Sequence, residues 1–344
     1  MQTQPYSTNE QQSQTVSQSL SVYASENNFP TYSQHLNDKT AIDINLQKEI
    51  HPPSRLQHLD KLHLINTTWR KSDFQKIRII NQGHFGIVWL VKNLTTQQHM
   101  AWKKMRYFTD QEILEVDNEV RVIIDAYQFS NEKQLSFLPV AKPLGFFLNK
   151  NEDQAYLVTE YCEGGDLQIF IQKMMKSNSS ISVEDAWSFI GQLVLSVQQI
   201  HQNRIIHSDL KPSNILLTKE KKIKLADFGL SRKLQEGYDY ILHEGGTEQQ
   251  FAADIWACGI VLYELLSHKH PFLLDNVITS KYELINNVLD TEPPELPEQY
   301  PESMRNLIKY MLIKKHDERI AAVDILKIPE VKASLKIQNN DSSK

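Results

Sequence analysis

The sequence is poor in cysteine and contains no long apolar run. Among its 344 residues, only Cys162 and Cys258 are cysteines. Two thiols are too few for a disulfide framework or a cysteine zinc site, so we expect both to be reduced and shielded from solvent. No stretch approaches the roughly 18 consecutive apolar residues of a membrane span, and the first residues lack the basic and apolar regions of a signal peptide. We therefore expect an intracellular protein, cytoplasmic or nuclear, with no membrane partner.

The chain also lacks an excess of positive charge. It has 37 Lys and Arg residues against 42 Asp and Glu residues, which gives a formal net charge of −5. Because nucleic-acid-binding proteins are usually basic, we expect no nucleic-acid partner. Hydrophobic residues make up 40% of the chain, which is enough for a sizeable core in one large domain or two lobes.

Both ends of the chain are polar. Gln, Ser, Asn and Thr dominate residues 1–68, and such a composition buries too little apolar area to offset the entropy of ordering, so we predict a disordered tail. Four large aliphatic residues near its end form either a short docking element or a chance apolar cluster. They are Leu59, Leu62, Leu64 and Ile65. Residues 334–344 are predicted to form a second polar tail, frayed at its end.

Residues 74–161 combine β-forming runs with one helical pattern. Apolar side chains recur at helical spacing over 110–125, which predicts a helix there. Runs of β-branched and aromatic residues predict the strands. These strands are expected at 77–80, 87–91, 99–103, 144–148 and 155–161. The segment is therefore predicted to be a small antiparallel sheet with one helix.

Residues 162–333 are mainly helical in pattern. The run Glu163-Gly164-Gly165-Asp166 separates them from the preceding sheet as a hinge. Helices are predicted at 166–176, 183–203, 253–267, 281–289, 303–314 and 321–326, with short strands at 215–217 and 223–225. The predicted fold class is α+β, with a small β-rich lobe and a larger helical lobe.

Residues 205–214 bring an acid, a base and an amide together. Asp209, Lys211 and Asn214 follow an apolar lead-in. Pro212 lies between them, and because proline has no N–H and clashes with the preceding turn, an ordinary helix interior is ruled out. The segment is predicted to be a loop that presents a carboxylate, an ammonium and an amide on one surface.

Further motifs accompany this loop in a fixed order. Residues 81–88 read Asn-Gln-Gly-His-Phe-Gly-Ile-Val, Lys103 lies in a later strand-like run, and Asp227-Phe228-Gly229 follows the loop. Together the motifs resemble the eukaryotic protein kinase family from Phe74 to Ala333, which implies the bilobal kinase fold. Lys211, two residues after Asp209, resembles the serine/threonine branch, and residues 161–167 resemble NIMA-related kinases.

The resemblance implies ATP as the bound nucleotide. In the family, a strand lysine contacts the α- and β-phosphates and pairs with a helix glutamate. Lys103 matches the lysine; Glu119 is our choice for the glutamate, with Glu112 and Glu115 as alternatives. Thr159 matches the residue beside the back pocket. The expected nucleotide-binding residues are Asn81, Gln82, Gly83, His84, Phe85, Gly86, Ile87, Val88, Ala101, Lys103, Glu119, Glu160, Cys162 and Leu216.

The resemblance also implies the catalytic roles. Asp209 matches the base that orients the substrate hydroxyl, and Lys211 the cation that steadies the γ-phosphate. Asn214 and Asp227 match the ligands of Mg²⁺, which prefers hard oxygen donors. Asp254 resembles the helix aspartate that anchors the catalytic loop.

Position 208 departs from the family pattern. It is Ser208, where most members have an arginine that pairs with a phosphorylated residue. The candidate phosphate acceptors between Gly229 and Gly246 are Ser231, Tyr238 and Tyr240. We therefore expect any activity to be independent of a phosphothreonine in this segment.

A second departure concerns the segment before Asp254. Only residues 248–253 separate Gly246-Thr247 from Asp254, and the family's Ala-Pro-Glu motif is missing. The glutamate of that motif normally pairs with an arginine that matches Arg319. An unpaired buried charge is costly, so Arg319 is expected to turn outward, find another acid or destabilise the lobe. The shortened interval leaves open an active kinase, an ATP-binding pseudokinase or scaffold, and a splice or gene-model origin. The protein substrate and the oligomeric state are not indicated.

Overall fold

The computed structural model describes residues 61–83, 86–132, 138–234, 246–273 and 280–341. An antiparallel five-stranded sheet with strand order β1-β2-β3-β5-β4 forms the smaller lobe. Its strands are β1 (Phe74–Gly83), β2 (Gly86–Asn93), β3 (His99–Arg106), β4 (Pro143–Leu148) and β5 (Gln154–Glu160). Helix α1 (Asp110–Glu132) lies between β3 and β4 in the chain. The predicted sheet with one helix is confirmed.

Apolar side chains on both faces of this sheet are buried. On one face, an aromatic cluster forms around Trp102, with Phe74 and Tyr156 at ring-centroid distances of 5.4 Å and 5.0 Å. Helix α1 contributes Val120 and Ile123 to the main core, which continues into the larger lobe. Successive residues along a strand, such as Tyr156 and Leu157, thus enter two separate cores, and this alternation fixes the strand register.

The larger lobe is helical, as predicted. Its helices are α2 (Leu167–Lys176), α3 (Val183–Gln202), α4 (Gly246–Ser267), α5 (Lys281–Asp290), α6 (Glu302–Met311), α7 (Ala322–Ile325) and α8 (Pro329–Asp341). Five short strands complete it: β6 (Gly165–Asp166), β7 (Ile205–Ile206), β8 (Ile215–Leu217), β9 (Ile223–Leu225) and β10 (Arg232–Lys233). Ser182 caps α3 by accepting a hydrogen bond from the backbone N–H of Asp185 at 3.0 Å. Both cysteines are free and buried, as expected.

Residues 61–68, which the sequence assigned to the disordered tail, pack against the smaller lobe. Leu62, in a 3-10 helix, is buried in the main core. Asn66 forms a parallel bridge with Gly145, where an added Cβ would come within 2.5 Å of the Trp69 ring. This packing favours the docking element over the chance cluster; Leu59 lies outside the described residues.

The last helix also differs from the prediction. Residues 334–341 belong to α8, and Ser334 is buried, with its hydroxyl donating to the backbone oxygen of Trp187 at 3.2 Å. The beginning of the predicted C-terminal tail is therefore part of the folded lobe.

Helix α4 begins at Gly246, seven residues before the predicted start at residue 253. The short interval before Asp254 is therefore helical. Arg319 does not turn outward and meets no acid among the described residues, because it remains part-buried and donates to three backbone oxygens, those of Ala252, Ile313 and Lys314. The third expected course, a destabilised lobe, stays a prediction. Among the residues that the model describes, none of the helices has both the length and the apolar character that a bilayer span requires.

Candidate active site

Most of the predicted nucleotide-binding residues and both predicted metal-binding residues line one cleft, whereas Gln82, Gly83, Gly86 and Ile87 are not among its lining residues. It lies where the sheet of the smaller lobe meets β8 and the loop after β9. The predicted residues that line it are Asn81, Val88, Ala101, Lys103, Glu119, Glu160, Cys162, Asn214, Leu216 and Asp227, together with Thr159. The resemblance to the kinase family thus implied a shared location for residues that are distant in sequence.

The structure describes the two ends of the glycine-containing turn at residues 81–88, namely 81–83 and 86–88. Gly83 pairs with Gly86 and Gln82 with Ile87 across β1 and β2. Gly86 has a φ of +130°, and a Cβ there would collide with the backbone oxygen of Lys104. The hairpin therefore requires glycine at this position. His84 and Phe85 lie outside the described residues.

Several lining residues were missed by the sequence argument. They are Arg78, Ile80, Ile123, Ala141, Leu157, Gly165, Asp166, Ile169, Ser213 and Ala226. Ile80 lies at a register irregularity of β1 between Ile79 and Asn81, so strict strand alternation from Val88 could not have indicated it. Ala141 reaches the cleft through a loop whose position depends on tertiary contacts.

Lys103 is held between two carboxylates. Its Nζ lies 2.7 Å and 2.9 Å from the carboxylate oxygens of Glu119 and 2.6 Å from Oδ1 of Asp227. Helix α1 supplies the first partner and the segment after β9 the second. A single ammonium thus joins the two lobes across the cleft.

The two alternative glutamates face other partners. Glu112 accepts hydrogen bonds from the backbone N–H groups of Phe108 and Thr109 and pairs with Arg106. Glu115 accepts from the Gln111 side chain at 2.7 Å. The structure therefore selects Glu119 as the partner of Lys103.

This ion triad keeps Lys103 protonated. Burial by itself lowers the pKa of Lys103, but the charges of Asp227 and Glu119 outweigh burial and raise it above its ordinary value. Burial would raise the pKa of Asp227, yet the Lys103 charge and hydrogen bond hold it below its ordinary value. The cleft therefore offers a fixed cation and a fixed anion side by side, as the binding of a metal-bound phosphate chain requires.

The catalytic loop holds Asp209 from two sides. Lys211 Nζ lies 2.8 Å from Oδ2 of Asp209, and the Asn214 amide donates to the same oxygen at 2.9 Å. Pro212 opens a short 3-10 helix to Asn214, which brings the amide back toward Asp209. Oδ1 of Asp209 is buried and accepts no hydrogen bond from the described residues. A buried carboxylate oxygen without a donor calls for an explanation, and a substrate hydroxyl is the kind of group that would supply the missing hydrogen bond.

Asp254 anchors the backbone of this loop. Its carboxylate accepts from the backbone N–H groups of His207 at 2.9 Å and Ser208 at 3.0 Å, and His201 bonds the same group at 2.8 Å. Burial would raise the pKa of Asp254, but the hydrogen bond and charge of His201 contribute to a net lowering. Ser208 has a φ of +64°, so the anchor holds a strained turn directly before Asp209.

Asn214 and Asp227 fit a Mg²⁺ site. Both line the cleft, and the Asn214 amide nitrogen is occupied by Asp209, so its oxygen is the group left to bind a cation. Over the described ranges there is no cluster of three or more His, Cys, Asp or Glu residues able to hold a metal. Two oxygen ligands suit Mg²⁺, which usually takes its remaining ligands from phosphates and water.

Ser231 is unsuited to phosphorylation. It is 1% exposed, and its hydroxyl donates to the backbone oxygen of His207 at 2.8 Å. A phosphate there would displace the segment that carries Asp227 from the catalytic loop. The other candidate acceptors, Tyr238 and Tyr240, lie outside the described residues.

Comparison with known proteins agrees with this geometry. The protein kinase domain model matches residues 74–330. Serine/threonine-protein kinase Nek11 of Macaca fascicularis is 29% identical over 268 residues, which is 74% of this chain and 40% of the relative. Nek2 of Mus musculus is 26% identical over 277 residues, 76% of this chain and 60% of the relative. Serine/threonine-protein kinase RUNKEL of Arabidopsis thaliana is 38% identical over 184 residues, 49% of this chain and 13% of the relative.

The chain spans less than two thirds of each of these relatives. The matched segment nevertheless contains both lobes, the Lys103–Glu119 pair and the Asp209 loop. The chain therefore belongs to the protein kinase family and resembles its NIMA-related (Nek) serine/threonine members.

Proposed function

We propose that this protein transfers the γ-phosphate of Mg·ATP to a serine or threonine hydroxyl of a protein substrate. The observation that carries the proposal is Oδ1 of Asp209, which has no hydrogen-bond donor among the described residues. The other carboxylate oxygen of Asp209 accepts from Asn214, which lines the same cleft as Lys103 and Glu119. Phosphoryl transfer needs positioning and charge neutralisation more than covalent help from the protein. The described residues supply both.

The mechanism follows from the fixed positions of these groups. Lys103 would bind the α- and β-phosphate oxygens, since its charge is maintained by Glu119 and Asp227. Asp209 would accept a hydrogen bond from the substrate hydroxyl through Oδ1 and orient the attacking oxygen in line with the γ-phosphorus. Lys211 lies 2.8 Å from Asp209 and would stabilise the charge that spreads over the transferred phosphoryl oxygens.

Asn214 and Asp227 would hold the metal ion. A bound Mg²⁺ neutralises the phosphate oxygens during transfer. Asp227 lines the cleft, and its Oδ1 lies 2.6 Å from Lys103 Nζ. The same residue would thus bind the ion and position Lys103.

A second candidate function is a nucleotide-binding scaffold. The observation that favours it is the start of α4 at Gly246, which leaves residues 246–253 in a helix. In the family this interval contains the Ala-Pro-Glu motif and much of the surface for the substrate peptide. ATP binding does not require that surface, whereas phosphorylation of a peptide does.

Two measurements on the full chain separate these candidates. Saturating Mg·ATP at about 100 times Kd is expected to stabilise the folded protein by about 2.7 kcal/mol in both cases. Transfer of labelled phosphate to a generic basic protein is expected for the kinase, with loss of the signal in Asp209→Asn and Lys103→Met and normal signal in Lys327→Ala. Equal background in all four proteins, together with a normal nucleotide shift, would select the scaffold.

The two buried thiols support a proposal about the cellular setting. Both thiols are buried, and burial, followed by the Glu160 charge, raises the pKa of Cys162 to about 12. Such thiols suit a reducing compartment. We propose an intracellular protein, cytoplasmic or nuclear, that acts on a protein substrate and binds neither nucleic acid nor membrane.

A further inference from the structure

Asp125 is a buried carboxylate shared by two lysines. Its side chain is 6% exposed and lies 2.5 Å from Lys61 Nζ through Oδ1 and 2.5 Å from Lys233 Nζ through Oδ2. The lysine side chains are 41% and 38% exposed. The backbone oxygen of Asp125 also accepts a hydrogen bond from the Asn203 side chain at 3.1 Å. We call these four residues, Lys61, Asp125, Asn203 and Lys233, the Asp125 clamp.

The clamp joins four different parts of the chain. Asp125 lies in α1, Asn203 follows α3 and Lys233 lies in β10. Lys61 precedes the 3-10 helix Leu62–Leu64, ahead of residue 74 where the kinase domain match begins. The clamp therefore attaches α1 of the smaller lobe to the larger lobe and to an additional N-terminal segment.

A second attachment lies closer to the site. The Asn118 side chain donates to the backbone oxygen of Ser231 at 2.9 Å, and Ser231 in turn donates to the backbone oxygen of His207. Helix α1 is thus fixed at two points to the segment that follows Asp227. Glu119 is adjacent to Asn118, so displacement of this helix would separate Glu119 from Lys103.

Charge explains why Asp125 controls this attachment. Both lysines pair with this one carboxylate, so removing it would leave two neighbouring like charges without their shared counter-charge. The carboxylate is buried, whereas both lysines are about half exposed. Water therefore does not take the place of the carboxylate when it is removed. Asp125 is therefore the central group of the clamp.

Ser208 cannot form the ion pair with a phosphorylated residue that the arginine at this position forms in most family members. It has no cationic side chain, and its backbone N–H is used by Asp254. We propose that Asp125 is a positioning residue which holds α1 and residues 231–234 in the arrangement that pairs Lys103 with Glu119, without a phosphorylated residue. The kinetic consequence of this inference, a fall in kcat, rests on the proposed phosphotransfer. Its structural consequence, faster hydrogen exchange in α1, does not.

The test uses the full chain and lysine substitutions that leave the core unchanged. Lys233→Met and Lys61→Met keep the aliphatic stems, and Lys233→Arg restores the charge. We expect amide hydrogen exchange in α1 and in 227–234 to accelerate by at least about threefold in both methionine variants, and kcat to fall by a similar factor. Lys233→Arg is expected to return both values toward the wild type.

A double-mutant cycle and a control complete the test. Asp125→Asn combined with Lys233→Met is expected to cost less than the sum of the two changes, because both remove the same contact. Lys327→Met, which breaks an exposed pair with Asp324, is the matched control. Unchanged exchange in both lysine variants, or full additivity in the cycle, would overturn the proposal. If the wild type shows no transfer, only the proposed function fails, and exchange still decides the role of Asp125.

Discussion

Arg319 donates a hydrogen bond to the backbone oxygen of Ala252 at 2.6 Å. Ala252 belongs to the short interval before Asp254, where the family's acidic partner of this arginine is missing. Arg319 also donates to Ile313 and Lys314 at 2.8 Å and 3.0 Å, and its guanidinium lies 4.9 Å from the centre of the Trp256 ring. Backbone oxygens and an aromatic face thus replace the expected carboxylate.

This replacement predicts a specific loss of stability. Burial lowers the pKa of Arg319 to about 10, so the group is still protonated at neutral pH. Arg319→Ala leaves three backbone oxygens without their donors, and we expect the free energy of unfolding to fall by about 2–4 kcal/mol. Denaturant unfolding measures this change. Arg319→Lys is expected to recover only part of the loss because an ammonium lacks the planar fork.

An exposed substitution provides the comparison. Lys327→Ala removes a surface pair with Asp324 and is expected to change the free energy of unfolding by less than about 0.5 kcal/mol. If Arg319→Ala were as mild as this control, the bonds to the backbone oxygens would not stabilise the lobe.

The site residues could be predicted where local spacing determines them. Asp209, Lys211 and Asn214 lie within six residues, and proline fixes the loop between them. Their partners are less local: Glu112, Glu115 and Glu119 share one helix, and only tertiary contacts show that Glu119 meets Lys103. Helical spacing alone cannot distinguish a glutamate that faces the cleft from one that faces water.

Contacts between distant segments could not be predicted. Leu62 is buried in the main core together with residues of distant segments such as Val120 and Phe146, whereas its polar surroundings in sequence suggested a tail. The start of α4 at Gly246 was likewise missed, because Glu248, Gln249 and Gln250 lack the apolar pattern of the rest of the helix. Pairing such as that of Lys61 with Asp125 has no local signature at all.

The choice among the three glutamates can be tested in one helix. Glu119→Gln removes a charge from Lys103, and we expect kcat/KM for phosphate transfer to fall by about 10²-fold, the usual scale for loss of one fixed charge contact in an active site. Initial rates with a generic basic protein measure the effect. Glu115→Gln is the matched control, since Glu115 is exposed and contacts Gln111. Equal losses in the two variants would contradict the role of Glu119.

Activity is expected to be independent of phosphorylation. Ser208 offers no cation to read a phosphate, and Ser231 is buried against His207. We expect phosphatase treatment of the purified chain to change the initial rate by less than about twofold, because no charge-assisted contact is lost. Mass spectrometry before and after treatment confirms the removal of phosphate. A drop of tenfold or more would show that another residue reads a phosphate.

The pH dependence of stability tests the neutral state of His207. The side chain is fully buried, its ring centre lies 4.9 Å from that of Phe228, and burial lowers its pKa despite the opposing charges of Asp254 and Asp209. The unfolded chain takes up a proton as the pH falls below the ordinary value of 6.5 while the folded chain does not. Stability from this residue is therefore present above pH 6.5 and is lost as the pH falls toward the lowered folded pKa.

His207→Phe removes this proton uptake and keeps an aromatic ring. The variant loses the contacts of the ring nitrogens with Ala226 and Asp209 and is expected to be less stable at pH 7. Between pH 6.5 and pH 5, the difference from the wild type is expected to narrow by up to about 1.4 kcal/mol per pH unit. Urea unfolding at pH 7, 6 and 5 measures both proteins. A constant difference would mean that His207 takes up a proton in the folded chain as readily as in the unfolded one.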